Sequence, residues 1–149
     1  YDGDGNDDLA VFRPWEGVWY VFGSSSGFSA VQFGVSGDRP VSGDFDGDGR
    51  SDRVVFRPSN ETWYLLGSEN GFSAAQFGTG TDVPLQADVD GDGRRDIGVF
   101  RPGSAEWFFV RSSDRSVESF VFGSPGSTAV PGIYVKKNKK MAGYRSRCL

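Results

Sequence analysis

The chain has 149 residues, with 20 acidic and 16 basic side chains, no histidine and one cysteine, and its net charge is −4. Its single cysteine, Cys148, excludes an internal disulfide framework, and its apolar stretches fall far short of the ~20 residues that span a bilayer. All acidic residues lie in residues 1–132, whereas residues 133–149 hold six basic residues and no acidic one, which predicts a domain boundary near Gly132 and a solvated basic tail at 133–149.

One sequence motif occurs three times at a spacing of 44 residues, starting at Asp2, Asp46 and Asp90. It consists of Asp-Gly-Asp-Gly-x-x-Asp, then an apolar run that ends in Val-Phe-Arg-Pro, then an aromatic pair. A period of roughly 20 to 50 residues is typical of solenoids, propellers and repeat arrays. The repeats predict three units, at about residues 1–43, 44–87 and 88–132.

Each unit predicts short strands, in chain order. The run after each acidic loop is rich in β-branched and aromatic residues and ends at a proline, which cannot donate to a ladder; these runs are Leu9–Arg13, Arg53–Arg57 and Ile97–Arg101. Second strands begin at the recurring tryptophan: Trp19–Gly23, Trp63–Gly67 and Trp107–Arg111. Third strands follow at Ser29–Gly34, Ser73–Gly78 and Val117–Gly123. Fourth strands precede the next acidic loop, at Pro40–Gly43 and Pro84–Ala87. No segment keeps an apolar 3.6-residue period, so the fold is predicted to be all-β.

Four strands of about five residues plus turns match the size of one propeller blade. A blade has two apolar faces to cover, so Trp19, Trp63 and Trp107 are expected to pack between blades rather than to bind a ligand. Trp15 has no aromatic counterpart in the other units. We expect it to be a surface residue in a turn, where it is open to a partner.

The acidic loops predict metal sites. In the second loop Asp44, Asp46 and Asp48 occupy alternate positions and Asp52 is the ninth residue. Crowded carboxylates repel one another without a cation, and flexible all-oxygen ligands suit Ca²⁺ better than Mg²⁺ or zinc. The backbone carbonyl of Arg50, at the seventh position, is expected to be a further ligand. The residues of the third loop that correspond to these five expected ligands are Asp88, Asp90, Asp92, Arg94 and Asp96. Those in the first loop are Asp2, Asp4, Asn6 and Asp8, and the lack of a first ligand there predicts a weakened site.

Two other interpretations of the loops fit the sequence less well. An EF-hand begins in the same way but needs a bidentate glutamate at position 12, where this chain has Val55 and Val99 in predicted strands. A turn rich in aspartate and glycine that binds no ion is disfavoured, because the pattern recurs at a fixed period. If the loops bind calcium, folding is expected to depend on calcium.

The acidic loop, the Val-Phe-Arg-Pro run and the segments Gln32-Phe33-Gly34 and Gln76-Phe77-Gly78 together resemble the FG-GAP/VCBS repeats. The resemblance covers about residues 1–132. It implies a β-propeller of calcium-binding blades, as in bacterial secreted proteins, integrin α-subunits and some fungal lectins. It also implies that the calcium loop joins the first and second strands of each blade, and that the protein is extracellular or at the cell surface. The third unit departs from the pattern after Arg111.

Three blades are too few to close a ring, since propellers typically have four to eight. The segment Ala129–Val135 resembles a further first strand, but Ile133, Val135, Lys137 and Lys140 stand where its acidic residues would be, so no fourth calcium site is expected. One expectation is a homodimer that forms a six-bladed ring. The alternative is a fragment of a longer propeller.

No enzymatic function is predicted, because the chain has no histidine and shows no nucleophile–base pair or phosphate loop. Asp38 and Asp82 are expected to cap turns, and Glu16, Glu61 and Glu106 to be solvated. The leading expectation is an extracellular, calcium-stabilised binding module for adhesion or scaffolding. The alternatives are a carbohydrate-binding lectin with sugar between the blades, and a non-catalytic domain of a larger secreted enzyme. Neither a nucleic-acid partner nor a membrane span is expected.

Overall fold

A computed structural model describes residues 1–130, which form three antiparallel sheets and no helix. The first sheet contains β1 (Leu9–Arg13), β2 (Val18–Gly23) and β3 (Gly27–Gln32). The second contains β4 (Arg39–Gly43), β5 (Asp52–Arg57), β6 (Thr62–Gly67) and β7 (Gly71–Gln76). The third contains β8 (Val83–Ala87), β9 (Asp96–Arg101), β10 (Glu106–Val110) and β11 (Val117–Val121). The all-β prediction is confirmed. Residues 1–130 hold no helix that could span a membrane.

Within each sheet the strands pair in chain order, so every sheet is a simple meander. The acidic loops at 44–51 and 88–95 connect β4 to β5 and β8 to β9, which is the place that the family resemblance implies. The strand before each acidic loop therefore pairs with the strand after it. Consequently the sheets, at 39–76 and 83–121, are offset by one strand from the sequence units 1–43, 44–87 and 88–132.

The predicted third strands of the first two sequence units, which are β3 and β7, begin two residues earlier than predicted, at Gly27 and Gly71. Both glycines have a positive φ, +74° and +71°, so each ends a tight turn and starts the strand. The strands end before Gly34 and Gly78, which also have positive φ angles, of +133° and +92°. The glycines thus set both ends of these strands, whereas the prediction relied on the apolar pattern.

The second and third sheets pack face to face. We call the face that carries the recurring tryptophan the back face of a sheet, and the opposite face its front face. A buried cluster joins Val54, Phe56 and Trp63 on the back of the second sheet to Ile97 and Val99 on the front of the third. This cluster confirms that the tryptophan of the second sheet packs between sheets.

The three recurring tryptophans share one local arrangement. Each is buried, and its indole Nε1 donates a hydrogen bond to a carbonyl oxygen just after the last strand of its sheet, at 2.9–3.1 Å. Each also tilts against a phenylalanine of the first strand of the pattern, with ring centroids 4.8–5.4 Å apart. Trp15, in contrast, is 72% exposed in a turn, as predicted.

The front face of the first sheet is open to solvent. Leu9, Val11, Phe22 and Phe28 are between 60% and 74% exposed. The back of the same sheet is covered, since Trp19 is buried and the neighbouring Phe33 meets Phe72 of the second sheet edge-on, with centroids 6.4 Å apart. The back face of each of the first two sheets therefore packs against the front face of the next sheet along the chain.

The second and third sheets each have an ion pair between an arginine and a buried aspartate at one end. Asp82, which is fully buried, accepts two hydrogen bonds from Arg101, both 3.0 Å long, and a third from the main-chain nitrogen of Thr79. Asp38 accepts equivalent bonds from Arg57 at 2.8 and 2.9 Å. Both aspartates cap turns, as predicted. Their pairing with the arginine of the Val-Phe-Arg-Pro run was not predicted.

Several predictions fall on residues that the structure does not describe. They concern the basic tail with Cys148, and most of the proposed closing strand Ala129–Val135. These predictions lie outside the described residues 1–130.

Candidate metal centres

Each acidic loop brings three carboxylates together. In every group one oxygen of each carboxylate lies within 4.8 Å of the others. The groups are Asp2, Asp4 and Asp8; Asp44, Asp46 and Asp48; and Asp88, Asp90 and Asp96. Two predicted ligands lie outside these groups: Asp52, the first residue of β5, and Asp92, in the third loop. The predicted carbonyl ligands at Asn6, Arg50 and Arg94 stay predictions, and their main-chain nitrogens donate to Asp4, Asp48 and Asp92, respectively, at 2.8–2.9 Å.

The first aspartate of each complete acidic loop accepts hydrogen bonds from two glycines of the same loop. Asp44 accepts hydrogen bonds from the main-chain nitrogens of Gly47 and Gly49, at 2.6 and 2.9 Å. Both glycines have φ angles near +85° (+86° and +84°), a conformation that is unfavourable for residues with a Cβ atom. Asp88 makes the same two bonds in the third loop. The alternation of aspartate and glycine is therefore a requirement of the loop backbone as well as a source of carboxylates.

The ninth residue of the loop is buried and fully engaged. Asp52 is 1% exposed, and its carboxylate accepts hydrogen bonds from the main-chain nitrogens of Phe45, Asp46 and Ser68, at 2.7, 3.2 and 2.8 Å. Asp96 is equally buried and accepts equivalent bonds from Val89 and Ser112. Burial raises the pKa of both carboxyl groups above the ordinary value, although these donors offset part of the effect. Their ionised form therefore carries a desolvation cost.

The acidic loop is tied to the turn between the next two strands. Asp46 accepts hydrogen bonds from the main-chain nitrogens of Glu69 and Asn70, at 3.0 and 3.1 Å. Burial acts to raise the pKa of Asp46, but these donors outweigh it and the pKa is lowered. In the first loop the pKa of Asp2 is held far below its ordinary value, chiefly by the main-chain nitrogen of Ser25. These loop carboxylates are thus held in the ionised form that a cation requires.

Sequence reasoning missed a recurring serine in this turn. Ser24, Ser68 and Ser112 follow one another at intervals of 44 residues. The hydroxyl of each donates to the carboxylate at the fifth position of its acidic loop, at 2.6–2.8 Å, and its main-chain nitrogen donates to the carboxylate at the ninth, at 2.7–2.8 Å. The period alone could have identified them. The serine fixes the distance between the loop and the turn.

Successive acidic loops touch each other across the sheets. The main-chain nitrogen of Arg95 donates a 2.7 Å hydrogen bond to the carbonyl oxygen of Asp44. The side chain of Arg94 lies over Gly47, where a Cβ atom would be only 3.0 Å from its Nε. Arg50 lies over Gly3 in the same way, at 3.1 Å. The fourth residue of a loop must therefore be small because the next loop packs on it.

The donor set of these centres is made of carboxylate oxygens, with no sulfur or imidazole ligand in the loops. Hard divalent cations such as Ca²⁺ prefer such ligands, whereas zinc and copper sites usually contain nitrogen or sulfur. The residues present thus fit a hard cation.

Comparison with known proteins supports the sequence pattern. Residues 44–99 match the family described as the FG-GAP-like repeat. The match begins at the first aspartate of the second acidic loop and ends within β9, so it contains two of the three loops. Compared with curated proteins and with solved structures, the chain has no significant match. Residues 44–99 of this chain thus match the FG-GAP-like repeat, which is the resemblance that the sequence predicts.

Proposed function

We propose that the chain is a calcium-stabilised binding module whose sheets are blades of a β-propeller, and that it acts outside the cell in adhesion or scaffolding. FG-GAP-like repeats are typical of extracellular and adhesion-type proteins, which supports this role. The observation that carries the proposal is the recurrence of one carboxylate cluster in three loops. The absence of histidine from the sequence supports binding rather than catalysis.

Calcium is the proposed ligand of the acidic loops. In the second loop Asp44, Asp46 and Asp48 would hold the ion, and the carbonyl oxygen of Arg50 would complete its shell. A cation beside these groups offsets their mutual repulsion and the cost of burying ionised Asp52. The bound ion supplies positive charge and fixes the loop between β4 and β5 against the turn that follows β6.

Removal of calcium is expected to destabilise the protein. At free calcium about 100 times Kd, each site adds about 2.7 kcal/mol to the free energy of unfolding. We expect thermal unfolding in excess chelator to occur at a clearly lower temperature than in excess calcium. An Asp46→Asn variant should lower the number of calcium ions bound in calorimetry by one. Identical unfolding curves with and without chelator would contradict calcium binding.

The open front face of the first sheet is the proposed interaction surface. Leu9 and Val11 are 74% and 60% exposed. Ile97 and Val99, at the same register in the third sheet, are 7% and 0% exposed because the second sheet covers them. The face thus has the composition of an interface that this fold already uses twice. We propose that a second copy of the chain covers it, and that two chains complete a ring of six sheets.

Substitution of this face is expected to separate the dimer. Native mass measurement should give two chains for the unaltered protein and one chain for Val11→Asp, because a buried unpaired carboxylate is unfavourable. Val117→Asp is the matched control, since Val117 is 61% exposed but lies on the third sheet. A folded protein with the mass of one chain would exclude the two-chain ring and favour a preceding repeat in a longer chain as the natural cover.

A further inference from the structure

A cleft between the second and third sheets lies beside the acidic loops. Its volume is about 290 Å³, close to the lower limit of known ligand pockets. Apolar side chains line part of it, among them Leu65, Ile97 and Val110. Four arginines line it: Arg94, Arg95, Arg111 and Arg115. Apolar side chains together with several cationic groups are the composition of a site for an anionic ligand.

Three of these arginines depart from the repeat. The residues 44 positions before Arg95, Arg111 and Arg115 are a serine and two glycines, namely Ser51, Gly67 and Gly71. The repeat framework therefore does not require arginine at these positions. All three substitutions nevertheless line the same cleft.

Arg115 also adopts an unfavourable backbone conformation. Its φ angle is +63°, close to the +71° and +74° of the glycines at the equivalent positions, Gly71 and Gly27. Residues with a Cβ atom are strained in this region, and such strain is concentrated at binding and active sites. Arg115 thus lines the cleft in a backbone conformation that glycine adopts with less strain.

The cationic charge of the cleft is only partly neutralised. Arg111 pairs with Glu118 at 2.9 Å, and both side chains are about one-third exposed (34% and 37%). Within residues 1–130 no carboxylate oxygen lies within 4.0 Å of a side-chain nitrogen of Arg94, Arg95 or Arg115. Two aspartates, at 46 and 52, also line the cleft, but their oxygens accept main-chain hydrogen bonds.

Two of the arginines are held in place by their stems. Arg94 packs over Gly47, and Arg95 packs over Gly43, where a Cβ atom would be 2.9 Å from its Cγ. Such packing restricts the stem and so reduces the entropy lost when the guanidinium binds a ligand.

We propose that this cleft binds the oxyanionic group of a small ligand, a carboxylate, sulfate or phosphate. The planar guanidinium matches such groups through paired hydrogen bonds. The group is carried either by a free inorganic ion or by an acidic sugar. This proposal is separate from calcium binding, because guanidinium groups that line the cleft, and not the loop carboxylates, would hold the anion.

The test uses variants that restore the residue of the preceding unit. Binding of sodium sulfate and of a uronic-acid oligosaccharide is followed by calorimetry for the unaltered chain, Arg115→Gly and Arg95→Ser. We expect saturable binding that weakens about tenfold or more in each variant, since hydrogen bonds to charged groups are lost. Arg115→Gly should keep or raise the unfolding temperature, because it relieves the strained turn. Arg13→Ser, on the first sheet, is the control and should bind like the unaltered chain.

The two probes distinguish the source of the oxyanion. Binding of sulfate alone identifies a free ion as the ligand, and tighter binding of the oligosaccharide identifies an acidic sugar. Glu118→Gln, which removes the competing carboxylate, should strengthen binding of either probe. Absence of saturable binding for both probes, or equal affinity in the unaltered chain and both reversion variants, would overturn the proposal.

Discussion

Replacement of Trp63 by alanine is expected to lower the free energy of unfolding by about 4 kcal/mol. Trp63 is fully buried in the cluster between the second and third sheets, and its indole nitrogen donates to the carbonyl oxygen of Phe77. The substitution leaves a cavity and an unpaired carbonyl group, and natural domains of this size are stable by only about 5–15 kcal/mol. Unfolding in denaturant, followed by tryptophan fluorescence and circular dichroism, measures the change.

Trp15→Ala is the matched control for this substitution. Trp15 is 72% exposed, so its removal creates no cavity and should leave the unfolding midpoint unchanged. Equal destabilisation by the two substitutions would show that Trp63 is not part of a buried interface.

Arg101→Met is expected to destabilise the protein by about 3 kcal/mol. The substitution removes both hydrogen bonds to the carboxylate of Asp82, which is fully buried and would be left as an unpaired charge. The side chain of Arg101 is itself 36% exposed, so the effect is placed at the low end of the range for buried pairs. Arg101→Lys keeps the charge without the paired geometry, and an intermediate loss is expected.

The repeat provides the control for this ion pair. Arg13 occupies the same position in the first unit, but its partner is the exposed Glu16 at 3.4 Å. Exposed pairs of this kind contribute little to stability, so Arg13→Met should behave like the unaltered protein. If Arg13→Met and Arg101→Met shifted the urea midpoint equally, burial of Asp82 would not be the cause.

The sequence was sufficient to place the strands because the repeat is strict. Three independent copies show the same apolar run, proline and tryptophan, so chance similarities in one copy are corrected by the others. Strand ends at Gly27 and Gly71 were predicted less well, since they depend on backbone φ angles that apolar patterns do not encode. The pairing of Asp38 with Arg57 was missed because the two residues lie 19 positions apart, and nothing local links them.

The candidate metal centres were partly predictable. Every carboxylate in the three clusters stands at a position that the loop pattern identifies. The burial of Asp52 and Asp96 was not visible in the sequence, because it comes from packing between the loop and the following turn. The arginine cleft was also hidden, since Arg95 and Arg115 look like drift in the third copy until the structure brings them together.

The contact between successive loops has a consequence for how such chains grow. Arg94 lies over Gly47 and Arg50 lies over Gly3, so each complete unit carries both the protruding arginine and the receptive glycine. When a unit is duplicated in tandem, the arginine of one copy can therefore pack on the glycine of the adjacent copy without further substitution. A longer array repeats this contact, and a substitution of the arginine or of the glycine affects the adjacent unit as well as its own.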